Sequence, residues 1–402
     1  MRSGGMVGFF AECRFAASLA CYAAAAFGCL YALVAAYATR SFAAAANGTP
    51  EADAAAVTIL KPLHGAEPEL FANLRSFCLQ DYPGPVQIVF GVGDCADPAI
   101  EVVREIVAAF PGHDLKLVIN SRRHGSNRKI SNLGNMLAEA SHDVLVISDS
   151  DIVVDPAYLR NVVASLQQPG VGLVTCLYRG VAAQDAEQGA GRDIWAKLSA
   201  AGIDYHFLPC VLVGLLLRLA APCFGSTIAI RKETLAEIGG LQSVADQLAD
   251  DYALGAAVRR AGFSVAIPAY IVGHRCAQST AHGLMRHELR WARTIRSLEP
   301  EGFAGTVITH AWPLALLGLL LGGMTALAVL VPIALVCRAA LQMELDRAFH
   351  LRRGFYWWGP LRDLLSFAVF VASFFGRRVE WRGHRYGVQA DNTLSYYGEV
   401  ER

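Results

Sequence analysis

The sequence predicts an α/β domain with a mostly parallel sheet, held to a membrane by apolar helices at both ends of the chain. Of the 402 residues, 54% are hydrophobic and 17% are charged. Ordinary soluble domains have about 45–50% apolar and about 25% charged residues. Between residues 54 and 305, short apolar runs alternate with amphipathic stretches, which is typical of strands connected by helices. Together these observations indicate a globular domain with membrane anchors.

The charge balance and the cysteines exclude several classes of protein. Lysine plus arginine is 35 and aspartate plus glutamate is 35, so the formal net charge is zero. A nucleic-acid-binding protein normally has a basic face, so no nucleic-acid partner is expected. The high apolar content excludes a disordered chain. The ten cysteines are scattered without a C-x-x-C pair, which predicts free thiols rather than a disulfide framework or a zinc site.

Three apolar runs are candidate membrane segments. Residues 15–38 carry no charge and exceed the roughly 20 residues that cross a bilayer, which predicts an N-terminal anchor. Residues 311–337 also lack charge, but two prolines and a Gly-Gly pair within them predict a broken or re-entrant helix. Residues 364–375 form a shorter run, preceded by the aromatic residues 355–358. A fourth apolar stretch, residues 207–222, is either core or a segment in the membrane interface.

The arginines around the last two runs give conflicting signals about topology. Several arginines follow the third run, which predicts a cytosolic C-terminus by the positive-inside rule. Other arginines lie between the second and third runs, so both sides of one span would be cytosolic. The topology of these two runs therefore stays open.

The globular region contains an ordered series of strands and helices. The predicted strands comprise residues 57–60, 86–92, 115–119, 144–147 and 171–176. The predicted helices comprise residues 67–80, 98–110, 130–140, 156–167, 249–261 and 286–295. Ligands of such sheets bind beyond the carboxyl ends of the strands. Acidic residues at these ends are therefore candidate site residues.

Three aspartates follow predicted strands. Asp149 and Asp151 come directly after residues 144–147, and two carboxylates on one turn can converge on a divalent cation. Mg²⁺ prefers one or two carboxylates together with phosphate oxygens, and such a cation would neutralise a departing diphosphate. Asp94 follows residues 86–92 and could hold the base or ribose of a nucleotide. The alternative for all three is a solvated turn.

Two helical positions also have two interpretations. Asp250 and Asp251 begin a predicted helix, where carboxylates are favourable in any case. The functional interpretation is a general base that takes a proton from an attacking hydroxyl. His287, Arg290 and Trp291 combine cationic donors with an aromatic ring, which suits phosphate and ring binding. Their alternative is a basic helix beside the membrane.

Taken in order, these positions resemble the D, D(x)D, D, (Q/R)-x-x-R-W signature of inverting membrane glycosyltransferases. Within that group the chain resembles ceramide glucosyltransferases and the bacterial enzymes that glycosylate hopanoids, over residues 15–385. The signature elements are Asp94, Asp149-Ser150-Asp151, Asp251 and His287-x-x-Arg290-Trp291. The supporting stretches include Lys129-Ile130-Ser131-Asn132-Leu133, Phe224-Gly225-Ser226-Thr227 and Ala249-Asp250-Asp251-Tyr252.

The resemblance implies a nucleotide-diphospho-sugar transferase (GT-A) fold and a role for each matching residue. Asp251 is implied as the catalytic base, and Asp149 and Asp151 as ligands of Mg²⁺ or Mn²⁺. The residues implied to contact the nucleotide-sugar are Asp94, Asp149 and Lys129, and those implied to contact the diphosphate and the acceptor are His287, Arg290 and Trp291. His287 departs from the Gln or Arg that is usual in the family.

The expected activity is transfer of glucose or N-acetylglucosamine from a UDP-sugar to a lipid hydroxyl, with inversion. Ceramide is the first acceptor expected. A hopanoid polyol is the alternative, because residues 123–129 and His287 resemble the hopanoid branch. A processive polysaccharide synthase would usually need more spans to form an export channel, and a non-catalytic membrane protein would have no reason to place carboxylates at successive strand ends.

The resemblance also implies an organisation of the chain in a bacterial inner membrane. We expect an anchor over residues 1–40 and a GT-A catalytic domain facing the cytosol over residues 41–305. Membrane segments over residues 306–385 and a tail over residues 386–402 would follow.

Overall fold

The computed structural model describes residues 3–46, 53–182, 193–322, 325–351, 358–376, 378–381, 384–388 and 394–399. The chain divides into two compact units. The sheet unit comprises Ala46–Ala200, Pro222–Arg286 and Arg377–Arg402. The helical unit comprises Met1–Ala45, Ala201–Ala221 and His287–Gly376.

The secondary-structure elements are numbered in chain order. The helices are α1 (Ser3–Ala44), α2 (Leu70–Cys78), α3 (Ala99–Ala109), α4 (Arg128–Leu137), α5 (Tyr158–Leu166), α6 (Asp193–Gly202), α7 (Leu208–Leu216), α8 (Lys232–Glu237), α9 (Asp250–Arg260), α10 (Ala281–Leu298), α11 (Pro300–Gly305), α12 (Ala311–Leu321), α13 (Leu330–Phe349) and α14 (Gly359–Ser373). The strands are β1 (Val57–Pro62), β2 (Val86–Val92), β3 (Asp114–Ile119), β4 (Val144–Ile147), β5 (Ile152–Val153), β6 (Val171–Thr175), β7 (Leu177–Ala182), β8 (Ile228–Arg231), β9 (Ser264–Ala266), β10 (Ile271–Cys276), β11 (Arg378–Trp381), β12 (His384–Val388) and β13 (Leu394–Glu399). Short 3₁₀-helices comprise Leu241–Val244, Thr306–Thr309 and Thr325–Val329, and a π-helical turn comprises Ile203–Phe207.

The main sheet has seven strands in the order β3-β2-β1-β4-β8-β6-β9. Strands β3, β2, β1 and β4 are parallel, and β6 is parallel to β9. Strand β8 is antiparallel to both of its neighbours. The predicted α/β class with a mostly parallel sheet is confirmed.

The central strands form because their residues are apolar on both faces. All six residues of β1 are buried, as are all but the first of β2. Parallel strands covered on both faces have such continuous apolar runs, which is why the predicted bounds of β2 and β4 match the observed ones. Strand β8 was not predicted, because a run of four residues is too short to distinguish a strand from a helix.

A smaller sheet has three strands in the order β5-β10-β7. Its first strand, β5, begins two residues after Ser150. Strand β10 is antiparallel to β5, where His274 pairs with Ile152, and parallel to β7. The short connection from β4 to β5 therefore turns the chain between two sheets. That turn carries both of the paired aspartates.

One hydrophobic core packs helices α4 and α9 against the main sheet. Its buried members lie on β1, β2, α4, β4, β6, β8 and α9, and include Leu60, Val89, Ile130, Leu133, Leu145, Ile230, Leu254 and Val258. Helix α4 lies close to β2, where Asn132 Nδ2 donates to the Gly91 carbonyl oxygen at 2.7 Å. Helices α4 and α9 are thus both fixed by this core.

Several helical segments of the chain are candidates for crossing a membrane. Among the described residues, the helical segments Phe9–Ala44, Ile194–Leu216 and Ala326–Phe349 are long and apolar enough to do so. A further candidate is the pair Pro300–Thr309 and Ala311–Leu321, which is bent by 73°. The chain is a membrane protein.

The three predicted runs have different outcomes. Residues 15–38 lie within α1, and residues 311–337 are interrupted as expected. Helix α12 ends at Leu321, Gly322 has a φ of 73°, and α13 begins only at Leu330. Residues 364–373 lie in α14, whose 15 residues are fewer than the roughly 20 that cross a bilayer. Of the aromatic cluster before it, residues 355–357 lie outside the described ranges.

Residues 207–222, interpreted from the sequence as core or as a segment in the membrane interface, begin inside a longer helical segment. A π-helical turn joins α6 to α7, so one helical segment continues to Leu216. The apolar run began late in the sequence because Asp204 and His206 interrupt it. Both residues lie in the π-helical turn; Asp204 is fully buried, and His206 Nε2 lies 2.9 Å from Asp363 Oδ1.

Candidate active site

The turn after β4 places two carboxylates at the carboxyl end of the sheet, as the sequence predicts. Asp149 and Asp151 flank Ser150, whose hydroxyl donates to Glu67 Oε2 at 2.8 Å. Lys61 of β1 holds the backbone of this turn, with Nζ 2.5 Å from the Asp149 carbonyl oxygen. Burial lowers the pKa of Lys61 to about 7, against the opposing effect of Asp149 and Asp151. The turn is therefore fixed by a fully buried side chain.

Lys129 of α4 lies among three carboxylates. Its side chain is 9% exposed, with Nζ 2.7 Å from Asp149 Oδ1 and 3.3 Å from Asp250 Oδ2. Burial alone would lower the pKa of Lys129, but the charges of Asp149, Asp250 and Asp251 raise it above its ordinary value. Lys129 is therefore a cation at neutral pH and compensates acidic groups from two separate elements.

Asn127 explains why the start of α4 meets the start of α9. Its Oδ1 accepts hydrogen bonds from the N–H groups of Lys129 and Ile130, at 2.9 and 3.2 Å, so it caps α4. Its Nδ2 donates to Asp250 Oδ1 at 3.2 Å and to the Gln247 carbonyl oxygen at 2.9 Å. One N-cap side chain thus connects the two helices that carry Lys129 and Asp250.

Gly225 connects the strand-end turn to Asp251. Its N–H donates to Asp251 Oδ2 at 2.8 Å, and its carbonyl oxygen accepts from the Asp149 N–H at 3.3 Å. A Cβ atom here would lie 2.7 Å from Asp149 Oδ2 and 3.0 Å from Lys129 Nζ. A side chain at this position would therefore displace the Asp149 carboxylate or the Lys129 ammonium.

Asp251, at the start of α9, is a buried carboxylate with a raised pKa. Burial and the Asp250 charge raise the pKa of Asp251 from its ordinary value of 3.8 to about 6, against the opposing effect of Lys129. The Tyr252 N–H donates to Asp251 Oδ1 at 2.8 Å and, with the Gly225 N–H, orients the carboxylate. Asp251 is therefore ionised at neutral pH and is a stronger base than an ordinary aspartate.

His274 of β10 is the second partner of the strand-end pair. Its Nε2 lies 3.2 Å from Asp151 Oδ2, and its ring centroid lies 5.5 Å from that of Tyr178. Burial lowers the pKa of His274, but Asp151 raises it more, so the pKa lies well above its ordinary value. Without a metal ion, His274 is a cation that orients Asp151.

The donor set fits a divalent cation that is held jointly with a phosphate ligand. Within the described ranges, no group of three or more His, Cys, Asp or Glu side chains could hold a metal ion. Asp149 and Asp151 supply two carboxylates, each about one-third exposed at 35% and 34%. Mg²⁺ is commonly bound by one or two carboxylates, with phosphates and water completing its shell. A metal at Asp151 would compete with the proton on His274.

Asp94 lies on an exposed turn after β2. Its Oδ1 accepts from the Ala96 N–H at 2.9 Å, which closes a small turn. The neighbouring Asp97 has the structural role, because it is 7% exposed and accepts from the N–H groups of Gly65 and Ala99 at 2.9 Å. The exposed position leaves the Asp94 carboxylate accessible to a ligand.

His287, Arg290 and Trp291 lie on α10, as predicted, in the helical unit. The rings of His287 and Trp291 are 4.6 Å apart, because residues four positions apart share one face of a helix. The ring of Phe207 lies 6.5 Å from that of Trp291. The carboxylates described above belong to the sheet unit.

Sequence reasoning assigned no role to Lys61, Gly225 or His274. A lysine within an apolar strand is a signal for Lys61, because lysine is almost never buried without a partner. Gly225 stands in a stretch that carries the family resemblance, but its contacts with Asp149 and Asp251 require the folded chain. His274 is a polar residue within an apolar strand, which is a weaker signal.

We expect Gly225→Ala to destabilise the protein by about 1 kcal/mol, because the added methyl group displaces the Asp149 carboxylate or the Lys129 ammonium from their 2.7 Å contact. The measurement is equilibrium unfolding of the full chain in detergent. Gly112→Ala is the control, since no atom lies within 4 Å of its new Cβ. Equal stabilities of the two variants would contradict the account of Gly225.

The sequence model of glycosyl transferase family 21 matches residues 20–394. A ceramide glucosyltransferase of Candida albicans is 34% identical over 121 residues, which are 27% of this chain and 22% of that protein. Ceramide glucosyltransferase 1 of Caenorhabditis elegans is 24% identical over 252 residues, or 63% of this chain and 52% of that protein. The chain thus matches about a fifth of the first relative's length and about half of the second's.

Solved glycosyltransferases are also similar in structure. A mannosyltransferase from Pyrobaculum calidifontis, solved with GDP-Man and Mn²⁺, has a TM-score of 0.48 and 21% identity, covering 90% of this chain and 99% of that chain. Glucosyl-3-phosphoglycerate synthase from Mycobacterium tuberculosis has a TM-score of 0.34 and 17% identity, covering 64% of this chain and 83% of that chain. Because the family model spans most of the sequence, the chain belongs to glycosyl transferase family 21.

Proposed function

We propose that this protein transfers glucose from UDP-glucose to the primary hydroxyl group of a ceramide-type membrane lipid, with inversion at the anomeric carbon. Family membership supports glycosyl transfer. The matched relatives are named ceramide glucosyltransferases, which supports this donor sugar and this acceptor. Membrane-spanning helices in the same chain support an acceptor that is itself embedded in a bilayer.

The environment of Asp251 is the observation that carries the proposal. Asp251 accepts the proton of the lipid hydroxyl as the hydroxyl oxygen attacks the anomeric carbon and the bond to UDP breaks. A raised pKa of about 6 makes this carboxylate basic enough for the task while it stays ionised at neutral pH. A single base that deprotonates the acceptor hydroxyl corresponds to a single displacement, which inverts the configuration.

Asp149 and Asp151 would hold Mg²⁺ or Mn²⁺ together with the diphosphate of the donor. When bound, the cation supplies positive charge that stabilises the leaving UDP. Lys129 fixes the Asp149 carboxylate at 2.7 Å, and His274 fixes that of Asp151 at 3.2 Å. Both side chains thus orient the carboxylates before the donor arrives.

Other residues would bind the ends of the substrates. Asp94, exposed after β2, would accept a hydrogen bond from the uridine. Lys129 contributes positive charge near the nucleotide-sugar. Arg290 and Trp291 would contact the diphosphate and the acceptor, with His287 packed on Trp291 at 4.6 Å.

We place the sheet unit on the cytosolic side of the membrane. All ten cysteines are free, and free thiols persist in a reducing compartment.

The product of a direct assay tests the proposed function. Membranes containing the protein are incubated with Mn²⁺ and labelled UDP-glucose or UDP-N-acetylglucosamine, with ceramide, with a hopanoid polyol or without added lipid. We expect β-linked glucosylceramide, identified by mass spectrometry and by the anomeric coupling in NMR. A glycosylated hopanoid would show that the acceptor is a hopanoid and not ceramide. Absence of any lipid-linked sugar would overturn glycosyl transfer to a lipid.

Asp251→Asn should lower kcat by about 100- to 10,000-fold, because the amide cannot accept the proton. The Kd of UDP should change little, since the variant keeps the shape of the side chain. Turnover and isothermal titration of UDP measure the two effects. Asp114→Asn, an exposed position on β3, is the control. Near-normal turnover of Asp251→Asn would refute the assignment of the base.

The pH dependence of kcat/KM should have its acidic limb near pH 6. Asp251 must be ionised to act as a base, so the rate should fall about tenfold per pH unit below its pKa of about 6 and level off above it. Asp250→Asn removes a charge that raises this pKa, so the limb should move to lower pH. A rate in the wild type that stays constant from pH 7 down to about pH 4.5 would contradict a raised pKa.

A further inference from the structure

A buried ion pair connects α10 to α14 within the helical unit. Arg362 of α14 is 5% exposed, and its guanidinium Nη2 lies 2.6 Å from Glu288 Oε1. The Glu288 side chain is 13% exposed. Glu288 directly follows His287 and lies one turn from Trp291, so the pair sits within the segment of α10 that carries the proposed ligand contacts.

Neighbouring residues hold the Arg362 side chain in position for this contact. Its Nη1 donates to Ser366 Oγ at 2.8 Å, on the next turn of α14. At the end of α6, a Cβ atom on Gly202 would overlap the Arg362 guanidinium. The absence of a side chain at Gly202 therefore leaves the space that Arg362 occupies.

The far end of the same α10 segment is also attached to α14. Arg293 Nη2 donates to the Phe375 carbonyl oxygen at 3.0 Å. Arg296 donates to the carbonyl oxygens of Phe374 and Gly376, at 3.3 and 2.8 Å. These carbonyl groups lie just after the C-terminus of α14, where cationic donors are favourable. Arg290 and Trp291 thus lie between two points of attachment.

The chemistry of the pair indicates a positioning role. Taking two charges out of water costs free energy that their attraction often does not recover, so well-packed apolar residues of similar volume are frequently as stable or more stable. An apolar pair would hold two helices together without a directional hydrogen bond. A short charged contact adds a directional constraint on how the two helices align.

We propose that Arg362 and Glu288 are positioning residues that set the register of α10 on α14 and thereby place His287, Arg290 and Trp291. This inference rests on the proposed function, in which α10 contacts the diphosphate and the acceptor. Neither residue touches substrate. Their effect on the reaction passes through the position of α10.

The test replaces the charged pair with an apolar one in the full chain, as Glu288→Leu with Arg362→Met. The melting temperature should stay near that of the wild type, because the buried charges are removed together. The KM for UDP-glucose and the Kd of UDP should each rise about tenfold, since a misplacement of about 1 Å can cost roughly 100-fold. A merely structural role would leave both constants unchanged at an unchanged melting temperature.

The Arg40–Glu344 pair offers a matched control. Its N–O distance is also 2.6 Å, and it joins α1 to α13 without involving α10. Arg40→Met with Glu344→Leu should leave KM and Kd within about twofold of the wild type, because this pair joins helices other than α10 and α14.

Epistasis with Arg290→Ala separates the inference from the function on which it rests. In the Arg290→Ala background, the apolar replacement should raise KM and Kd by less than about a further twofold. The reason is that the Arg290 contact, which the charged pair positions, is already absent. If Arg290→Ala weakens UDP binding while the apolar pair leaves KM and Kd unchanged, the positioning role is overturned alone. If Arg290→Ala itself binds UDP normally, the role of α10 in the proposed function is wrong, and the inference falls with it. If the double replacement fails to fold, Glu288→Gln provides the same comparison with an uncharged isostere.

Discussion

The buried cation Lys129 connects the carboxylates of the turn after β4 to those at the start of α9. Its ammonium lies within 3.3 Å of the carboxylates of Asp149 and Asp250, and the charge of Asp251 acts on it as well. Burying like charges together is costly unless an opposite charge compensates them. Without Lys129, the end of β4 and the start of α9 would repel each other.

The same constraint explains how this site could combine a metal with a base. Lys129 neutralises enough charge for the carboxylates to lie close together. It compensates Asp251 only in part, so burial and the Asp250 charge still raise the pKa of Asp251 to about 6. Gly225 then links Asp149 and Asp251 through its backbone, so the two functions share one rigid frame. In the helical unit, the Glu288–Arg362 pair has an analogous role, since a charged contact there fixes where a helix lies.

The sequence predicted those features that depend on local pattern. The apolar strands β2 and β4, the position of Asp149 and Asp151 after β4, and the helix that carries Trp291 were all visible as short-range periodicity. The direction of β8 and the contact of Asn127 with Asp250, 123 positions apart, depend on how distant segments fold against each other. The helical segment Ile194–Leu216 was missed because its buried polar residues find partners only in the folded chain.

The most direct test of the central claim is a double-mutant cycle on stability with Lys129→Met, Asp250→Asn and the double variant, unfolded in detergent. Removing Lys129 alone should cost about 3–5 kcal/mol, because it leaves buried carboxylates uncompensated. The account predicts that Asp250→Asn restores part of this loss, with a coupling free energy of about 1–3 kcal/mol between the two positions. Losses that add to within about 0.5 kcal/mol would show that the two residues act independently and would contradict the account.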